Sequence, residues 1–523
     1  MKNYFLIAVL VLSYSTIYSQ TVFDASIYGS TDITGTARYM SMGGAFGALG
    51  GDASSIIDNP AGLGIYRKSE MSTTLNVQLQ NSSATWNGVA ASNDKLGPKF
   101  NNFTYVIASP TYRSQQDGSK GLFSSNWSLS YNQIKNFDRN VSIKGGSTLS
   151  SMTDYMSYFT NGTDPRDLDL SDTNNYNPYD NTNVSWLSIL SWDTFLTDTV
   201  NGKYVNFLND GEKVTPSYLL SERGHINKYS IAWSGNFTNK FYLGASLDYI
   251  AIDHSTTSTY EETFGAGGDM SLMSNFSQKG AAVGFNVGAI YKPVYNLRLG
   301  FAFHSPTIYN LTDHSYSDLI TNINDKHNSS TTPDDTYYDN SYILQSPMQV
   351  NASIAYVMDK GLISAEYVFN NATGMKLMDT SGSSVNYDKT SNPVNSDINT
   401  MLNNVHTIKL GGEYRINDNL SLRAGYAFKT APTKSNAVKY LNLNSTRTDT
   451  EFFIDNSGTN YVSLGFGYHE NNWFIDFAYQ LKSYKQTFYP FDYTATPYLS
   501  DNTKSANILN STNNLIATIG IKF

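Results

Sequence analysis

Residues 473–482 read WFIDFAYQLK, and their alternation decides the architecture. Trp473, Ile475, Phe477, Tyr479 and Leu481 fall on one side of an extended chain, with Asp476, Gln480 and Lys482 on the other, because successive strand side chains point to opposite faces. One face suits lipid and the other suits water. The split recurs at Leu297, Leu299, Phe301 and Phe303 against Arg298, Gly300, Ala302 and His304. It recurs again at Phe241, Leu243, Ala245, Leu247 and Tyr249 against Gly244, Ser246 and Asp248. A soluble sandwich alternates too, but gives Tyr and Trp no special place. Here Tyr229, Trp233, Tyr249, Tyr291 and Trp473 fall near strand ends, where an interfacial belt puts them.

Composition narrows the class further. Only 15% of residues are charged, below the roughly 25% of ordinary soluble domains, while aromatics reach 14% with 39 Tyr among them. No apolar run is long enough to cross a bilayer as a helix, which takes about 20 residues. A membrane chain of this kind must close into a barrel, since lipid offers backbone groups no other partner. The net charge of −9 leaves no basic footprint for nucleic acid. Lys2, the apolar run Tyr4–Leu12 and the small residues up to Ser19 have the layout of a secretory signal, residues 1–19. With no cysteine in the chain, neither a lipid anchor on cysteine nor a disulfide framework is expected.

Fourteen alternating segments are predicted, beginning with 69–80, 98–110 and 121–136 and ending with 472–486 and 512–523. Short turns (NFTNK, KPVYN, MDKG, INDN, HENN) follow the even-numbered strands from the fourth to the twelfth, and SQQDGSK follows the second. Odd-numbered strands lead into long polar excursions, the longest over 137–225. That parity predicts an all-β, 14-stranded antiparallel transmembrane β-barrel in the bacterial outer membrane, with short periplasmic turns, long outer loops and both termini in the periplasm. The barrel is assigned to 69–523. Fourteen strands enclose more space than wall side chains can fill, so residues 20–68 are predicted to form a plug. Within them, GALGGDASSIIDNPAGLG (47–64) reads as a compact turn and helix, with Asp52 as N-cap and Pro60 as the stop.

GDASSIIDNPAGLG (51–64) resembles the hatch motif of the FadL/TodX family of outer-membrane transporters for long-chain fatty acids and other hydrophobic compounds. The motif residues are Asn59, Pro60, Ala61 and Gly62. GAIYKPVYNLRLGFAFHSPT (288–307) and the closing strands are similar as well. The resemblance implies a 14-stranded barrel with an N-terminal hatch and passive uptake. An apolar ligand is captured among the outer loops, moves to a site near the hatch's N-terminal end, and leaves sideways into the membrane after a local hatch rearrangement. Phe23 is then a candidate ligand contact, or an anchor of the hatch. The apolar pieces SWLSIL (185–190) and SLMSNF (271–276) suit capture. The terminal Phe523 resembles the signal read by the outer-membrane assembly machinery. Hydrophobic small molecules, membrane lipid and that machinery are the expected partners. A different class remains open: an interaction barrel whose long loops dock secreted or surface proteins as part of a secretion system.

Catalysis is not expected. The seven His are scattered, no HExxH or GxSxG spacing occurs, and His304 reads as an ordinary lumen histidine. TTPDDTYYDN (331–340) gathers carboxylates but reads as a solvated loop rather than a calcium site. No metal or cofactor is predicted.

Overall fold

In the computed structural model, the described residues are 22–111, 121–171, 176–181, 183–333, 340–379, 393–435, 437, 447–455 and 457–523. The wall consists of β1 (Glu70–Trp86), β2 (Val89–Pro110), β3 (Leu122–Asn136), β4 (Val214–Phe237), β5 (Phe241–Phe264), β6 (Asp269–Val294), β7 (Leu297–His304), β8 (Gln349–Met358), β9 (Gly361–Asn370), β10 (Val405–Arg415), β11 (Leu420–Lys429), β12 (Thr459–His469), β13 (Trp473–Tyr489) and β14 (Ala506–Lys522). Each strand pairs antiparallel with the next. β14 returns to β1, from Glu70↔Lys522 to Trp86↔Ala506, and closes a 14-stranded barrel.

The two faces sort as the alternation requires. Leu243, Leu247, Phe301, Phe477 and Leu515 point outward and are exposed, whereas Asp248, Asn286, Asp476 and Gln480 are buried in the interior. Exposed apolar side chains on this scale suit lipid contact, not water. At one end the strands meet in tight turns. Thr238 and Asn239, both at positive φ, lie in the three-residue turn that joins β4 to β5, as short hairpin turns between right-twisted strands favour.

At the other end the strands run far past the lipid. β4 and β5 have 24 residues and β6 has 26, where about 9–11 suffice to cross a bilayer. The excursions expected after the first and fifth strands are thus continuous hairpins, the first turning at Asn87–Gly88 with both φ values positive. The longest excursion ends at 213, not 225, because 214–225 belongs to β4. Beyond the apolar band the outward face turns polar, so the hydrophobic alternation fades although the strands continue.

A cap covers the tall end. It contains the strand Arg139–Lys144 paired with β4, the helices Met152–Thr160 and Trp186–Asp193, and the hairpin Thr197–Val200/Lys203–Asn206. The first helix starts with a reciprocal capping box between Ser151 and Asp154. Met152, Tyr155, Leu187 and Leu190 pack with Tyr218, Phe264, Leu272 and Phe488 of the wall. This corrects the reading of SWLSIL and SLMSNF as surface capture patches. Trp186, Leu187, Ile189 and Leu190 are fully buried in the cap, and Leu272 and Phe276 are buried on β6. Residues 1–19 and the carboxylates Asp334, Asp335 and Asp339 lie outside the described residues.

Candidate functional site

The segment that precedes β1 lies against the inner wall. It contains the helices Ala37–Ser41 and Ser55–Asp58 and the 3₁₀ turn Pro60–Ile65, and residues 36–66 are almost wholly buried. Asn59 ties the segment together. Its Nδ2 donates to the carbonyls of Gly47 at 2.7 Å and of Ala289 on β6 at 3.2 Å, while its Oδ1 accepts from Ala61 N–H at 3.0 Å. Pro60 opens the 3₁₀ turn, where its missing N–H costs nothing. Asp52 does not cap the helix as expected. The helix starts later, at Ser55, and Asp52 Oδ1 accepts instead from Ser54 N–H and the Thr36 hydroxyl.

The wall is shaped to receive this segment. At Gly244, Gly288, Gly300, Gly411, Gly425 and Gly465, a Cβ would collide with Ala61, Asn59, Gly47, Met42, Gly43 and Ser41 respectively. These inward glycines sit on six strands, β5, β6, β7, β10, β11 and β12; at Gly244, Gly300, Gly411 and Gly425 main chain meets main chain, and at Gly288 and Gly465 the wall backbone meets the Asn59 and Ser41 side chains. Their inward register was readable from the alternation, although the sequence reading drew nothing from it. Buried ion pairs add directionality. Lys409 on β10 bonds Asp58 at 2.9 Å and Glu366 on β9 at 3.0 Å, and Glu366 accepts Gly47 N–H at 2.7 Å. Arg38 reaches Glu413, which also pairs with Arg423. His304 does point inward, with Nε2 3.0 Å from the Asp58 carbonyl.

On the cap side of the segment lies a cavity of about 300 Å³, joined by shared lining residues (Asp32, Lys135, Phe137, Arg139 and Lys482) to a smaller one of about 70 Å³. Asp32 is its polar hub, bonded to Lys482 at 2.8 and 2.9 Å and to the Tyr461 hydroxyl at 3.1 Å, with Lys429 at 3.7 Å. Burial pushes the Asp32 carboxyl up, but Lys482, Lys429 and Lys135 outweigh it and hold the group well below the usual carboxylate range. Nearby, Glu222 pairs with Arg139 and with His254. An apolar region adjoins these charges. Val22, Ala25 and Tyr28, in and just after the helix Val22–Ser26, are buried with Phe137, Ile250, Ile252 and Leu311. The Phe23 backbone belongs to that helix, while its side chain lies outside the described residues.

The wall itself is broken beside the smaller cavity. β2 and β3 pair from Pro110↔Ser124 only as far as Asn102↔Asn132. Beyond that point β2 pairs with β1 alone, while β3 and the strand Arg139–Lys144 pair with β4 alone. β3 carries two register shifts against β4, at Leu122/Ser124 and Gln133/Lys135. An isolated bridge, Trp86↔Gly145, bounds the break at the cap. No sequence feature marked this slot, because it is a pairing that fails to form.

At the short-turn end, Phe523 pairs its backbone with Ser69 and stacks its ring on Tyr105. Among the described residues no His, Asp, Glu or Cys side chains are grouped to hold a metal.

A family model described as outer membrane protein transport protein (OMPP1/FadL/TodX) matches residues 228–512. Among solved structures, a FadL homologue from Pseudomonas aeruginosa is similar with a TM-score of 0.52 at 13% identity, covering 94% of this chain and 99% of that one. The toluene transporter TodX of P. putida gives 0.48 at 15% identity, and the toluene transporter TbuX of Ralstonia pickettii 0.46 at 13%, with the same coverage. At such identities the likeness bears on the fold alone. No curated protein matches.

Proposed function

The chain belongs to the OMPP1/FadL/TodX family of outer-membrane transport proteins, and from that premise we propose that it admits hydrophobic small molecules passively through the barrel interior. It is a multi-pass β-barrel of the bacterial outer membrane. In this reading the short turns face the periplasm, residues 20–68 are the hatch that plugs the lumen, and Asn59, Pro60, Ala61 and Gly62 hold the hatch in its seat. The relatives named above include toluene transporters. For this chain the ligand class we favour has an apolar body and a polar or acidic end, as a long-chain fatty acid has. The cavity sets Lys135, Lys429 and Lys482 beside an apolar cluster.

The observation that carries the reading is the slot between β2 and β3. An apolar molecule that leaves through the wall enters lipid directly and avoids re-exposure to water, which costs roughly 25 cal/mol per Å². The slot adjoins the internal cavities and borders Leu96 and Phe100, which face outward and are exposed. Phe23 is proposed as a ligand contact, since its neighbours Val22 and Ala25 lie in the apolar cluster at the cavity. The terminal Phe523 is proposed as the residue read during barrel assembly. Uptake of a radiolabelled fatty acid and of toluene into proteoliposomes, with empty vesicles as reference, tests the function. Uptake no faster than through the empty vesicles overturns it.

A further inference from the structure

The slot leaves two strand edges side by side inside a membrane wall. Unpaired N–H and C=O groups are costly in lipid and invite foreign pairing, so something must hold the edges together. Three side chains do so. Lys95 and Lys99, spaced four residues apart on β2, both reach across the break to Asp138, in the two-residue link between β3 and Arg139–Lys144. Lys95 also donates to the Glu222 carbonyl at 3.1 Å, and Asp138 accepts Gly224 N–H at 3.3 Å, both on β4. One further side-chain bond crosses the same region, from Asn136 to Gln78 at 3.3 Å.

We propose that Lys95, Lys99 and Asp138 form an ionic latch that keeps the β2–β3 slot shut, and that a ligand passes from the interior into lipid only when this latch parts. The second half rests on the lateral-exit reading given above; the first does not. The latch stands midway between the two ends of the slot, the Asn102↔Asn132 pair and the Trp86↔Gly145 bridge. The smaller cavity lies directly behind it, lined by Gln78, Asn101, Gln133, Lys135 and Asp138 itself. Asp138 faces two lysine ammonium groups and the Gly224 N–H, all of which favour its charged form. The three side chains are only 13–23% exposed. That shelters the pairs from complete screening yet leaves them reachable by salt. Main-chain ladders do not open under such mild perturbation, whereas a pair of ionic contacts does. The wall is therefore weakest where its backbone pairing has been replaced by charge.

The chain has no cysteine, so Gln80→Cys, at a buried position of β1 that lines the cavity behind the latch, places a single thiol there. In proteoliposomes this thiol is titrated with a maleimide carried on an acyl chain, which reaches it only from the lipid. Asp138→Asn and the double variant Lys95→Met/Lys99→Met should each accelerate labelling about five- to tenfold, the range expected for losing two partly exposed ion pairs. One molar salt should accelerate the parent but not the variants. Unchanged labelling in an Asp138→Asn barrel that still migrates as a folded species on unheated gels overturns the latch. Salt-insensitive labelling of the parent, which needs no latch variant, overturns it as well. Fatty-acid uptake by the same vesicles separates the two halves: faster labelling with unchanged uptake retains the latch and overturns the exit reading, and faster labelling with faster uptake supports both.

Discussion

Replacing Asn59 by alanine tests whether the inner segment is held by specific ties or by general packing. Asn59 is 1% exposed and makes three hydrogen bonds, to the Gly47 carbonyl, the Ala289 carbonyl and the Ala61 N–H. At about 1 kcal/mol net for each buried bond, Asn59→Ala should weaken the seat by about 3 kcal/mol. With tenfold per 1.4 kcal/mol, the unseated population rises roughly a hundredfold. The wall should be unaffected, because only one of the three bonds touches it and the Ala289 backbone remains in the β5–β6–β7 ladders. Native-state hydrogen exchange reads the effect locally. The Gly51 N–H, bonded to the Gly62 carbonyl, and the Gly62 N–H, bonded to the Asn59 carbonyl, should exchange roughly a hundred times faster, while amides of β9 and β10 keep their rates. Unchanged exchange at Gly51 and Gly62 would refute the reasoning, since the wall glycines alone would then hold the segment. Equal acceleration across the barrel would refute it differently, by showing that segment and wall unfold as one unit.

Deleting 24–64 should leave a barrel that inserts but conducts ions in planar bilayers far better than the full chain; a full-length conductance already as large would mean that these residues plug nothing. A protease-accessible tag at the Asn324–Asp325 turn should be cut in intact cells and one at 416–419 should not, and cleavage at the second site would reverse the orientation. The folded-state pKa of Asp32 is depressed, so its contribution is present above the unfolded value near 4 and fades as pH falls below it. Proteolysis within residues 22–35 should therefore rise between pH 5 and pH 3, and Lys482→Met should flatten that profile. Phe523→Ala should lower the yield of assembled barrel in cells while the purified protein refolds normally in detergent; an unchanged yield would remove the terminal ring from the assembly signal.

The wall was legible because lipid imposes a rule at every second residue of every strand. Trp473, Phe477 and Tyr479 had to face out, whatever the distant partners were, and repetition of that local rule gave fourteen strands and the position of the short turns. The upper parts of β4, β5 and β6 were not legible, since STTSTYEET (255–263) faces water outside and a packed cap inside. Within the interior, Asn59 and Pro60 announced a fixed turn, and the likeness to a hatch motif drew attention to it. Lys409 and Glu366 looked like ordinary inward polar residues. The bond from Lys409 to Asp58 spans more than 300 residues of chain, and no local pattern encodes it. The slot is the extreme case, for it depends on which edge β3 fails to meet. Asp138 sits in the polar stretch NFDRN (136–140), with nothing nearby to single it out.

The backbone contact between Ser69 and Phe523 has a consequence for how the inner segment is held. The inner segment enters the lumen through the point where β1 begins, and β14 closes the ring at that same point, with Phe523 N–H and C=O both bonded to Ser69. The cap stops the far end with a packed core, so the segment's way in or out lies at the short-turn end, where its root is held. Ser69 is both the last step of the segment and the partner of Phe523, so one pair of backbone bonds serves the seam of the wall and the hinge of what lies inside it.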